Sequence, residues 1–227
     1  MQPPNALKRI QCRPCAETFR CPGGALCLDF CNTGQGARDR HGEEWLATYG
    51  DLVDWLEAAG ALGGEQAKRL RRAALAAPES AARIWRRAIE LREALQRAFE
   101  ARAQGSAPSS EDLERFESEY AQGAALARLR WTGEHADWTH DAASSDLAAV
   151  LRPVVQSAAE LLTSEKLSRM RRCGSPTCSW LFIDETRNGS RRWCEMASCG
   201  NLHKVRRHRE RQSAPAARRK GARADRR

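Results

Sequence analysis

No run of about 18 apolar residues occurs anywhere in this sequence, so no segment reads as a membrane-spanning helix. Residues 1–10 are polar and carry prolines, unlike a secretory signal, and the expectation is a cytoplasmic protein. Also missing are Gly-x4-Gly-Lys-Ser/Thr, His-Glu-x-x-His and Gly-x-Ser-x-Gly, which removes the usual signatures of nucleotide, metalloprotease and serine-hydrolase chemistry. Gly34-Gln-Gly36 begins like a dinucleotide fingerprint, but Asp39 stands where its third glycine belongs. No catalytic residue is assigned, and the chain is not expected to be an enzyme. A disulfide framework is equally disfavoured: there are nine cysteines, an odd number, and four of them fall into a different pattern.

That pattern organises the chain. Cys173-x4-Cys178 and Cys194-x4-Cys199 are two short-spaced pairs, separated by fifteen residues that contain the turn dipeptide Asn188-Gly189. Four thiolates brought to one point are what tetrahedral zinc requires, and four occupied positions leave none for a reacting water. The aromatic and β-branched run from Trp180 to Asp184 predicts a strand, Asn188-Gly189 a hairpin turn, and Arg191-Arg192-Trp193 the return strand. Beyond Cys199, residues 200–212 hold no proline and many basic side chains, which predicts a helix whose first turn carries the last ligand. Knuckle, hairpin and ligand-bearing helix together make a treble-clef-like finger holding one structural zinc ion.

Charge is concentrated at the same end. The net charge is +9 overall, and +9 is also the balance of residues 203–227 alone, a block of like charge that repels itself unless a polyanion neutralises it. Lys204, Arg207 and Arg211 recur at helical spacing, with Arg206 and Arg209 beside them and Arg191 and Arg192 on the expected return strand. These seven are the candidate nucleic-acid contacts, to DNA in the first reading. RNA or ribosome binding is the alternative, with Trp180 and Trp193 available to stack on bases. Residues 213–227 read as a basic tail unable to bury a core, and residues 1–17 as a flexible leader containing Cys12 and Cys15, with Cys21 just beyond.

Residues 18–170 are nearly balanced in charge and patterned mainly for helices, so an independent domain is expected there. Ala25 to Phe30 is a short apolar run suited to a buried strand, with Asp29 and Asn32 near its end. Those two polar residues must find backbone partners or contact a ligand. Apolar residues at spacings of three and four predict helices around 45–59, 62–75, 79–102, 111–120 and 146–163, the last bent or split by Pro153. A short hairpin is expected near 126–139, and a connecting helix over 165–171. The fold class is therefore α+β: a mainly helical N-terminal domain with a few short strands, then the finger over 171–212.

Two stretches resemble known families. Cys173-Gly-Ser-Pro-Thr-Cys178, Trp180 to Asp184, Arg187-Asn188, Ser190 to Cys194, Met196 and Cys199-Gly-Asn201 followed by Lys204 resemble the CGNR zinc finger, with Leu202 in place of that family's fourth signature residue, arginine. Gly-Gly-x-Leu-x-Leu-Asp-Phe-x-Asn-Thr, residues 23–33, is similar to the opening of the ABATE domain that precedes this finger in bacterial proteins. The resemblance implies a stress-responsive transcription regulator. Its finger would sit on nucleoid DNA, and its N-terminal domain would receive a small-molecule or protein signal or mediate assembly.

Overall fold

The computed structural model describes residues 22–34, 44–125, 127–140 and 146–213. Cys12, Cys15, Cys21, Asp39 and residues 214–227 of the tail lie outside them. The chain falls into two compact units, the first running to Cys194 and the second beginning at Glu195.

The first unit is mainly helical. It comprises α1 (Leu26–Cys31), α2 (Tyr49–Ala58), α3 (Gly64–Ala76), α4 (Pro78–Ala103), α5 (Ser110–Ala125), the strands β1 (Ala127–Trp131) and β2 (Ala136–His140), and α6 (Arg152–Leu162). Two short strands follow, β3 (Met170–Arg172) and β4 (Leu181–Ile183). Capping fixes several helix starts. Thr48 Oγ1 accepts from the Asp51 amide at 3.1 Å ahead of α2, and Ser109 Oγ from the Asp112 amide at 3.1 Å at the start of α5. Pro78 opens α4, where its missing N–H would have had no partner in any case. Pro153 splits the 146–163 segment, leaving a 3-10 turn at Leu147–Leu151 ahead of α6.

The stretch expected as a strand over 25–30 is instead the helix α1. Cys27 to Cys31 are all buried, and a short segment buried all round has no polar face from which its period can be read. Gly24, at φ +78°, turns the chain into the helix. Around α1 the core gathers Leu52, Leu56, Leu91, Phe99, Val154 and Ala158 from three other helices. Each of these side chains other than Ala158 contributes roughly 1.5–3 kcal/mol by leaving water.

One helix and one strand expectation also change. The helix expected over 165–171 is a 3-10 turn at Glu165–Arg169 that opens into β3. It is β3, just ahead of the first zinc-pattern cysteine, that pairs antiparallel with β4, in the register Met170↔Ile183 and Arg172↔Leu181. Arg191 to Trp193 forms no strand. The Arg191 amide donates to Asp184 Oδ2 at 2.9 Å and the Gly174 amide to the Arg192 carbonyl at 2.9 Å, so this segment wraps the knuckle instead of laddering along β4. The β1–β2 hairpin forms as expected, with Leu129 opposite Trp138.

The second unit holds a π-type turn at Met196–Gly200 leading directly into α7 (Asn201–Ser213).

Candidate metal centre and nucleic-acid helix

The Cys173 knuckle is built from backbone hydrogen bonds. The Cys173 amide donates to the Trp180 carbonyl at 2.8 Å, and the Cys178 amide to the Ser175 carbonyl at 3.1 Å, closing a tight loop that presents both sulfurs on one side. Cys194 enters from the loop after Gly189, whose φ of +62° makes the turn predicted at Asn188-Gly189. Cys199 comes from the π-type turn ahead of α7. The four ligand atoms lie within 4.8 Å of one another, and all four cysteines are buried.

These dimensions fit zinc. Zn–S bonds of about 2.3 Å in a tetrahedron put neighbouring sulfurs about 3.8 Å apart, and Cys178 Sγ lies 3.9 Å from Cys194 Sγ. The chemistry agrees. Hydrogen bonds from the Cys178 and Cys194 thiols hold Cys173 well below the usual thiol range, while the same contact with Cys173 pushes Cys178 and Cys194 upward. Thiols packed this closely cannot all ionise without a cation among them, so the cluster is a site for one zinc ion. Among the described residues it is the one group of at least three metal-ligating side chains.

Asp184 and Arg191 hold the loop between the second and third ligands. Asp184 is fully buried; its Oδ1 accepts from the Thr186 amide and hydroxyl, and its Oδ2 from the Arg191 amide. Those bonds, the Thr186 hydroxyl first, hold its carboxyl below the usual carboxylate range. The Arg191 guanidinium stacks 4.3 Å from the centre of the Phe182 ring. It donates to the carbonyls of Pro22 at 2.9 Å, Ile183 and Trp193 at 3.1 Å, and also to Cys194. Its donors are thus committed to carbonyls, leaving little for a phosphate, whereas Arg192 is exposed. The motif Asp-x-Thr after an aromatic strand was the available sequence signal for this turn; nothing in the sequence marked Arg191 as different from Arg192.

Asn32 and Asp29 are also engaged within the protein. Asn32 Nδ2 donates to the Leu181 carbonyl at 3.0 Å while the Leu181 amide donates to Asn32 Oδ1 at 2.8 Å, so the side chain acts as an extra strand residue for β4. Asp29 Oδ1 accepts from the Gly23 amide at 3.0 Å. Trp180 is buried, with its ring edge-on to Trp45 at 6.2 Å.

In the second unit, Lys204, Arg206, Arg207, Arg209 and Arg211 are all exposed on α7. Arg206 pairs with Glu210 one turn on, at 3.0 Å. Leu202 is half exposed at the start of the helix. No residue of α7 whose side chain is described is buried.

A mainly helical domain joined to a four-thiolate centre and a cationic helix defines a zinc-finger protein. Residues 24–165 match the ABATE family, described as "Putative stress-induced transcription regulator", and residues 169–212 match the CGNR zinc finger. The first match alone covers more than half of the chain, and the chain belongs to the ABATE family, with a CGNR finger at its C-terminal end. These are regulator and zinc-finger families, not enzyme families. No curated protein matches the chain. No helix among the described residues is long and apolar enough to cross a membrane.

Proposed function

We propose that this chain is a zinc-dependent, DNA-binding transcription regulator of the cytoplasm and nucleoid, in which the N-terminal domain receives a signal or mediates assembly. The observation that carries this reading is α7: a thirteen-residue helix with five exposed basic side chains, starting directly after the last cysteine of the zinc cluster. Lys204, Arg207 and Arg211 fall on one face at spacings of three and four, a row suited to the phosphates of a duplex. Residues 214–227 add cationic charge that is independent of sequence.

Base stacking by Trp180 and Trp193 supports the RNA alternative, and burial of the Trp180 ring against Trp45 weakens the Trp180 part of it. Competition between duplex DNA and structured RNA at equal salt distinguishes the two. Duplex DNA is expected to win, and preferential retention of RNA would overturn the proposal.

A further inference from the structure

Two hollows between α5 and α6 share Gly123 and Arg152 in their walls. The smaller, about 270 Å³, is lined by Arg87, Glu119 and Asp146, and these charges are already engaged. Arg87 holds Glu119 through two hydrogen bonds of 2.7 and 3.1 Å, and Asp146 accepts from the Ala148 amide at 2.9 Å. The larger, about 460 Å³, has no acidic residue in its described lining: Tyr120, Ala124, Ala127, Val155 and Gln156 surround Arg152. That volume is in the range of ordinary small-molecule sites, which pair apolar walls with a few polar anchors.

Arg152 is the exception among the charges here. It is only partly exposed, and among the described residues no carboxylate lies within ion-pair distance of it. No carbonyl of the described residues accepts a hydrogen bond from it either. Loss of water without a compensating partner pulls its pKa down to about 10. Its stem passes Gly123, with Cγ 3.6 Å from where a Cβ would stand, so the side chain packs against α5 in the wall that the two hollows share. A planar fork of N–H donors without a counter-ion, beside an apolar hollow, matches a carboxylate attached to an apolar body.

We propose that the α5–α6 hollow binds a small organic anion, a carboxylic acid with an aromatic or aliphatic body, and that Arg152 receives its carboxylate. This rests on the reading that the N-terminal domain receives a signal, and it names the chemical class of that signal.

The test uses the zinc-loaded full chain with benzoate as probe, benzamide as its neutral counterpart and inorganic phosphate as a bare anion, all at fixed ionic strength. Calorimetric titration is expected to show one benzoate site per chain, with benzamide and phosphate each bound at least about tenfold more weakly, as for a lost charge-assisted contact of about 1.4 kcal/mol or more. Arg152→Met is expected to abolish benzoate binding and to raise the ligand-free melting temperature by about 2–4 °C, because it removes an uncompensated cation. Arg152→Lys keeps the charge and is expected to retain weakened binding. The proposal is overturned by an absence of saturable benzoate binding, by benzamide or phosphate binding as tightly as benzoate, or by undiminished binding to Arg152→Met. A fall in the ligand-free melting temperature of Arg152→Met would also overturn it, since the arginine would then be a structural residue. Duplex-DNA affinity with and without benzoate tests the parent reading separately: a change supports signal reception, and no change despite intact benzoate binding leaves the site standing while removing its role as a sensor.

Discussion

Asn32 shows how much one amide can hold. Its two hydrogen bonds to Leu181 join residues 149 positions apart, both within the core. Asn32→Ala would leave a buried amide and carbonyl of β4 without partners, which predicts a loss of about 2–4 kcal/mol in urea denaturation. The necessity was legible, because a buried polar side chain at the end of an apolar run must be paired, but the partner was not, because nothing local links residue 32 to residue 181. Asp184 makes a pH prediction. Its folded-state carboxyl lies below its unfolded value of about 4, so its contribution to stability is complete above that value and is lost as pH falls through the lower, folded one. Melting temperature followed from pH 6 to pH 3 should therefore fall less steeply in Asp184→Asn than in the parent. An identical slope would remove Asp184 from the account of acid sensitivity.

At the scale of elements, α7 stands apart from the other α-helices because it buries none of its described side chains. An isolated helix of this length is marginal in water, and five cations on it repel one another. Contact with a polyanion should order it, so circular dichroism at 222 nm is expected to deepen when duplex DNA is added at low salt. If about six phosphates are neutralised, log K should fall against log salt with a slope near −5, and removal of residues 213–227 should make the slope shallower by roughly two. Binding that ignores salt would exclude this surface. The helix itself was visible in the sequence from its basic spacing and its lack of proline, as the zinc cluster was from cysteine spacing. The partner of β4 was missed for a different reason: hairpin logic favours the nearest following segment, Arg191 to Trp193, but Asp184 and Arg191 use that segment to close a loop, and the ladder forms with residues upstream of the knuckle. The α1 segment was misread because burial on every side erases periodicity.

For the whole molecule, the expectation that residues 18–170 fold alone meets a difficulty in the packing. Leu181 and Ile183 belong to the same apolar cluster as α1, the Ile183 amide donates to the Gly23 carbonyl at 2.8 Å, and Arg191 reaches the Pro22 carbonyl. A fragment ending at residue 170 is therefore predicted to melt at lower temperature and less cooperatively than one ending at 194, as read by circular dichroism. Equal, sharp transitions would restore the original expectation. Chelation of zinc from the full chain should likewise lower the melting temperature of the helical core as well as that of the finger, because Cys173, Cys178 and Cys194 bracket β4. The same threading has a consequence for synthesis. Chains leave the ribosome from the N-terminus onward, and domains generally fold as they emerge, yet here α1 is made early and the strand that satisfies its Asn32 is made about 150 residues later. The nascent chain must carry an incomplete core while the intervening residues are made. Completion of that core and capture of the metal ion then belong to the same late interval, when the last thiols appear.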